Sequence, residues 1–64
     1  MINGTRIKEL MREQGITNKE LAEAAGVTEP MISYVLRGYR DTTVSVMVRI
    51  ANRLGVTLDE IVTV

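Results

Sequence analysis

The chain has 64 residues with no cysteine, histidine, phenylalanine or tryptophan, and its eight Lys and Arg balance eight Asp and Glu. Disulfides and thiolate metal sites are therefore excluded, as are a catalytic imidazole, a histidine metal ligand and a histidine pH switch. A chain this short suggests one domain, residues 1–64, that buries only about 60% of its unfolded surface.

The core must be built from Leu, Ile, Val, Met and Ala, which suits small helices. No apolar run approaches the roughly 20 residues that span a bilayer, and the N-terminus does not resemble a signal peptide. The expected setting is a reducing cytoplasm, with no membrane partner. Neutral charge argues mildly against nucleic acid, since many DNA-binding domains are basic. The distribution softens that argument. Residues 1–53 carry all eight basic and six acidic residues, a net of +2, while Asp59 and Glu60 sit together near the C-terminus.

The chain divides at Gly15, Gly26, Gly38 and Gly55, each following a helix-like segment where a left-handed cap favours glycine. In the first segment Ile7, Leu10 and Met11 recur at i, i+3, i+4, which marks an amphipathic helix. The second starts with Thr17 three residues before Glu20, a capping-box spacing, and buries Leu21, Ala22 and Ala25. In the third, Thr28 can cap and Pro30 falls in the first turn, where a missing N–H does no harm. Ile32, Val35 and Leu36 form its inner side. The fourth is ambiguous. Residues 42–48 alternate apolar and polar, as a strand would. From Met47 the period becomes helical through Ile50, Ala51 and Leu54. A helix capped near Thr43 is expected, with packing holding the poor helix formers Val44, Val46 and Val48. A last short helix repeats the capping-box spacing from Thr57 to Glu60. The reading is an all-α bundle of about five helices, near 5–14, 18–25, 29–37, 44–54 and 58–62.

The second and third helices are joined by "GVT", as in a helix-turn-helix. Gly26 permits the turn and Val27 plugs the angle. Leu21, Ala22, Val27, Ile32 and Val35 would fix the crossing. The third helix then shows Glu29, Pro30, Ser33, Tyr34 and Arg37 outward. A proline, an aromatic and only two charges make an odd solvent face and suggest a partner.

The run "ELAEAAGVTEPMISYVLRG", followed by "VMVRIANRLGVTLDEIV", resembles the DNA-binding domain of the lambdoid phage repressor and Cro family over about residues 5–62. The resemblance implies a bundle of about five helices, a recognition helix in the major groove of double-stranded DNA, and a homodimer on a pseudo-palindromic operator. It implies transcriptional regulation, with repression as the expected mode, no cofactor and no enzyme activity. Glu29, Pro30, Ser33 and Tyr34 take the base-facing positions. Asn18 takes a position where relatives often have a phosphate-contacting glutamine. Lys19, Thr28, Arg37, Tyr39, Arg40 and Thr42 fall where relatives meet the DNA backbone. Relatives dimerise near the fifth helix, which draws attention to Leu58, Val62 and Val64, with Val48 nearby in the apolar count. Where some relatives pair a buried arginine with a glutamate, this chain has Met11 and Leu36. Packed apolar groups at such sites are often neutral or stabilising by ~1–4 kcal/mol.

Plainer readings stand beside these. Glu29 favours a helix dipole wherever it sits, and Pro30 is a common helix starter. Lys19 and Arg40 fit solvated surface charges, and Met11, Met31 and Met47 fit core filling. Leu58 and Ile61 fit simple closure of the bundle. A small helical module that binds protein is the rival function, and one domain of a longer regulator is a third reading.

Overall fold

The computed structural model describes residues 1–63, which form five α-helices and one isolated β-bridge. The helices are α1 (Gly4–Gln14), α2 (Asn18–Ala25), α3 (Glu29–Leu36), α4 (Val44–Leu54) and α5 (Leu58–Ile61). Four begin with a side-chain cap. The Asn3 carboxamide oxygen accepts from the Arg6 N–H at 3.1 Å. Thr17 and Glu20 form the full capping box, with Thr17 Oγ1 accepting from the Glu20 N–H and Glu20 Oε1 accepting from the Thr17 N–H. Thr28 Oγ1 accepts from the Met31 N–H, and Thr43 Oγ1 from the Val46 N–H. Each removes one of the orphan donors of a helix start.

Several expectations need correction. The helix from Val44, capped by Thr43, forms as expected, but packing does not hold all three valines there. Val46 is half-buried, but Val44 is 66% exposed and Val48 is 40% exposed. The Thr43 cap and the buried stripe Met47, Ile50, Ala51 and Leu54 carry the helix. No capping box forms at Thr57. The Glu60 N–H that its hydroxyl would cap donates instead to the Thr57 carbonyl at 3.1 Å, and the Glu60 carboxylate lies 3.9 Å from Arg6. Helix ends also shift by one residue. Gly4 joins α1, Arg37 caps α3 rather than extending it, and Val62 is extended rather than helical.

The core runs through all five helices, from Ile7 and Leu10 of α1 to Ile61 of α5, with Ile32 and Ile50 fully buried at its centre. Helix α2 packs against α3 and α4, α1 against α3, α4 and α5, and α5 against α4. Met11 and Leu36 are each 5% exposed, and no polar side chain is buried among the described residues. The apolar pair thus sits in a dry core with no desolvated charge to compensate.

The first four helices end alike. The residue after each cap glycine donates its N–H back five residues, from Ile16 to Met11, Val27 to Ala22, Tyr39 to Tyr34 and Val56 to Ala51, at 2.9–3.1 Å. This is the Schellman arrangement, and it brings the two side chains it links close together. In three cases the link turns inward: Ile16 is buried, and Val27 and Val56 pack half-buried on the core. At the end of α3 both linked residues are exposed tyrosines.

Side chains distant in sequence also cap helix ends. Gln14 Nε2 donates to the Leu54 carbonyl at the end of α4 at 2.7 Å, and Arg49 Nη1 donates to the Ala25 carbonyl at the end of α2 at 3.4 Å. The two ends of the chain pair as a minimal antiparallel ladder. The Asn3 N–H donates to the Ile61 carbonyl and the Thr63 N–H to the Met1 carbonyl, each at 2.7 Å, around the Ile2–Val62 bridge.

Gly4 meets the end of α3 at close range. A Cβ there would lie 2.0 Å from the Leu36 carbonyl oxygen, a backbone atom that cannot swing aside. Gly4→Ala must push α1 away from α3. We expect a loss of about 1–3 kcal/mol, the usual range for overpacking. In a domain this small that lowers Tm by roughly 5 °C or more in a thermal melt.

Candidate nucleic-acid interface

The candidate site is built on the α2–α3 pair. Gly26 has φ 74°, a left-handed conformation that lets the chain reverse in two residues. Val27 then packs on the core, and Thr28 starts α3. The inner side of α3, Ile32, Val35 and Leu36, is buried against the neighbouring helices. The orientation of the outer side follows from that burial. Pro30, Ser33, Tyr34 and Arg37 stand at i, i+3, i+4 and i+7, one stripe of a helix. Pro30, Tyr34 and Arg37 are exposed and Ser33 is half-exposed. Glu29 opens the helix beside them, also exposed.

Asn18 is the first residue of α2, and it shares one shallow open groove with Glu29, Pro30 and Ser33. The structure therefore brings together residues 11 or more apart that were singled out separately. The N-terminal ends of α2 and α3 both border this groove, and a helix start carries a partial positive charge. Lys19 is exposed next to Asn18. Thr28 Oγ1 is used as an acceptor by the Met31 N–H, but its own O–H stays free to donate.

Beyond α3, Gly38 (φ 81°) turns the chain so that Tyr39 comes back over Tyr34, ring centroids 6.4 Å apart and planes at 50°. Arg40 reaches back toward α3 and places Nη1 3.9 Å from the Met31 sulfur. Tyr39 and Arg40 are exposed and Thr42 is half-exposed. Lys19, Arg37 and Arg40 make no ion pair among the described residues, whereas Arg6 and Arg53 are engaged by Glu9, Glu60 and Glu20. The acids Glu29 and Asp41 lie in the same region, likewise without an ion pair among the described residues, so the field over the site is close to neutral. Such a surface can position an anionic backbone through a few point contacts and can offer hydroxyl, carboxylate and apolar groups to base edges.

Away from this face, Leu58 and Val62 are half-buried on their own core, and Val62 is also engaged in the bridge to Ile2. Val64 lies outside the described residues. Arg49 was not anticipated. Its contact with Ala25 holds the end of α2 next to the turn, and its guanidinium lies 2.8 Å from where a Cβ on Gly26 would stand. Nothing local in the sequence signals a cap supplied from 24 residues away.

A Thr28→Ala substitution removes the cap that starts α3. It should lower stability by about 1 kcal/mol, while Thr28→Ser should retain it. Parallel urea titrations of the two variants check this.

Comparison with known proteins places this arrangement. A helix-turn-helix family model matches residues 7–61. An uncharacterised HTH-type transcriptional regulator of Sinorhizobium fredii, y4dJ, is 35% identical over 60 residues, covering 94% of this chain and 78% of that protein. The crystal structure of the restriction-modification controller protein C.AhdI from Aeromonas hydrophila is similar at TM-score 0.82 and 26% identity, over 89% of this chain and 86% of that one. SinR, the master regulator for biofilm formation, in a crystal structure with DNA, is similar at TM-score 0.80 and 29% identity, over 89% of this chain and 95% of that one.

Proposed function

The chain belongs to the helix-turn-helix family, and we propose that it represses transcription by occupying a pseudo-palindromic operator as a homodimer. It is a DNA-binding transcriptional regulator. The observation that carries the finer reading is the exposed stripe Pro30, Ser33, Tyr34 and Arg37 on a helix whose opposite side is locked in the core. An α-helix with its side chains is about 10–12 Å across, which fits the width of the B-DNA major groove, so α3 can enter it side-on.

In this reading Glu29 accepts from a cytosine amino group, Pro30 makes apolar contact with a thymine methyl, and Ser33 and Tyr34 donate to base edges. Asn18, Lys19, Thr28, Arg37, Arg40 and Thr42 contact the sugar-phosphate backbone. Two half-sites one helical turn apart are separated by about 34–36 Å. The longest extent of this fold is 26 Å, so one copy cannot read both. Self-association would draw on apolar residues of the α4–α5 corner, where the two helices pack together: Leu58 on α5, Val62 just after it, and exposed Val48 on α4. Val64 belongs to the same proposal.

Selection from randomised duplexes should enrich a palindrome. Tyr34→Ala should flatten at least one position of each half-site. Enrichment of no motif at low or physiological salt would overturn the operator reading, and an unchanged motif with Tyr34→Ala would remove Tyr34 from it. Single Lys19→Ala, Arg37→Ala and Arg40→Ala changes should each lower the slope of log affinity against log salt by about 0.9, with little change in sequence preference. Val48→Glu should shift the protein toward monomer in sedimentation equilibrium and leave its melting temperature nearly unchanged.

A further inference from the structure

We infer that Tyr39 is a positioning residue for base recognition: it holds the Tyr34 ring in its reading orientation and thereby sets the preference at the base pair Tyr34 meets. The inference rests on the proposed role of the α3 face, and it assigns Tyr39 a different task from a backbone contact.

The argument starts from the four helix ends. Each uses the same backbone device, a left-handed glycine followed by a residue whose N–H returns five positions. That device brings the following residue against the one five positions earlier, and an apolar contact between them commonly accompanies it. At the ends of α1, α2 and α4 the backbone bond links Ile16 to Met11, Val27 to Ala22 and Val56 to Ala51, and the earlier residue of each pair is buried. All six residues are in the core or packed on it. At the end of α3 the same device holds Tyr39 against Tyr34, and both are turned out: Tyr34 is 50% exposed and Tyr39 is 72% exposed. The chain has only these two aromatic residues. Both sit at one helix end and neither is buried.

The geometry suits mutual restraint. Centroids 6.4 Å apart with planes tilted by 50° lie within the range favoured by aromatic pairs. The Tyr39 backbone is fixed by its 3.0 Å bond to the Tyr34 carbonyl and by Gly38 at φ 81°. Its ring therefore stands on a rigid mount and limits the rotamers open to Tyr34. A preset ring loses less freedom on meeting DNA, and an interaction that depends on orientation gains discrimination from that loss avoided.

The test compares Tyr39→Val, Tyr39→Phe and Tyr34→Ala by duplex selection and by direct affinity for the selected site and for single-base variants of it. Valine already occupies the equivalent position at the ends of α2 and α4, so Tyr39→Val leaves the cap compatible with folding; a thermal melt verifies that. The expected result is that Tyr39→Val reduces discrimination by roughly 3- to 10-fold at the same base pair that Tyr34→Ala affects, and at no other, while Tyr39→Phe preserves it. A uniform loss on all duplexes in Tyr39→Phe would overturn the inference in favour of a hydroxyl contact with phosphate. An unchanged profile in Tyr39→Val, with Tyr34→Ala still flattening its position, would overturn it in favour of a simple helix cap. If Tyr34→Ala itself changes nothing, the base-reading role of Tyr34 fails first and the inference falls with it.

Discussion

The crossing of α2 and α3 rests on a two-residue reversal, and the candidate site depends on it. Gly26 supplies the left-handed backbone, Val27 returns its N–H to Ala22 and packs on the core, and Thr28 immediately opens the next helix. Arg49 fastens the same corner from α4 by donating to the Ala25 carbonyl. A longer or looser connection would let α3 rotate about its own axis. A rotation of one residue, about 100°, would bury part of the Pro30–Arg37 stripe and expose part of the core face. The outer face is therefore defined by the burial of Ile32, Val35 and Leu36 as much as by its own residues.

That dependence explains what the sequence disclosed. Helix starts were legible at Thr17, Thr28 and Thr43 because capping is local: a hydroxyl and an N–H three residues on suffice. Helix ends were legible at the four glycines for the same reason. The inner face of α3 was legible from its period, and with it the outer face. Features that depend on distant partners were hidden. Gly4 looks like an ordinary terminal glycine until the α3 carbonyl is seen against it. The caps from Gln14 and Arg49 span 40 and 24 residues. The capping-box spacing at Thr57 misled because the Glu60 N–H goes to the Thr57 carbonyl in a single tight turn, while the Glu60 carboxylate meets Arg6 of α1. Val44 and Val48 misled in another way: β-branched residues can ride on the solvent side of a helix whose opposite face is well packed.

Charge enters this design sparingly. The ion pairs among the described residues are all at the surface, each with both side chains more than a third exposed, and contribute little to stability. Only Arg6 and Arg53 are engaged, so Lys8, Arg12, Lys19, Arg37, Arg40 and Arg49 make no ion pair among the described residues. With no net charge over the chain, the expected affinity for arbitrary duplex is weak, because non-specific affinity comes almost entirely from phosphate neutralisation.

The ladder between Met1–Asn3 and Ile61–Thr63 makes the polypeptide almost a ring. Helix ends in small bundles usually fray independently, each terminus peeling at its own rate. Here residues 2 and 62 share a bridge, and the bonds that secure α1 at its start are made to the residue that ends α5. Releasing one end releases the other, so α1 and α5 should open together as a single cooperative unit. The turn between α2 and α3 lies in the remainder of the fold, fastened to α4 through Arg49. Slow exchange would then be expected for the Asn3 and Thr63 N–H groups, where an unpaired segment would exchange fast.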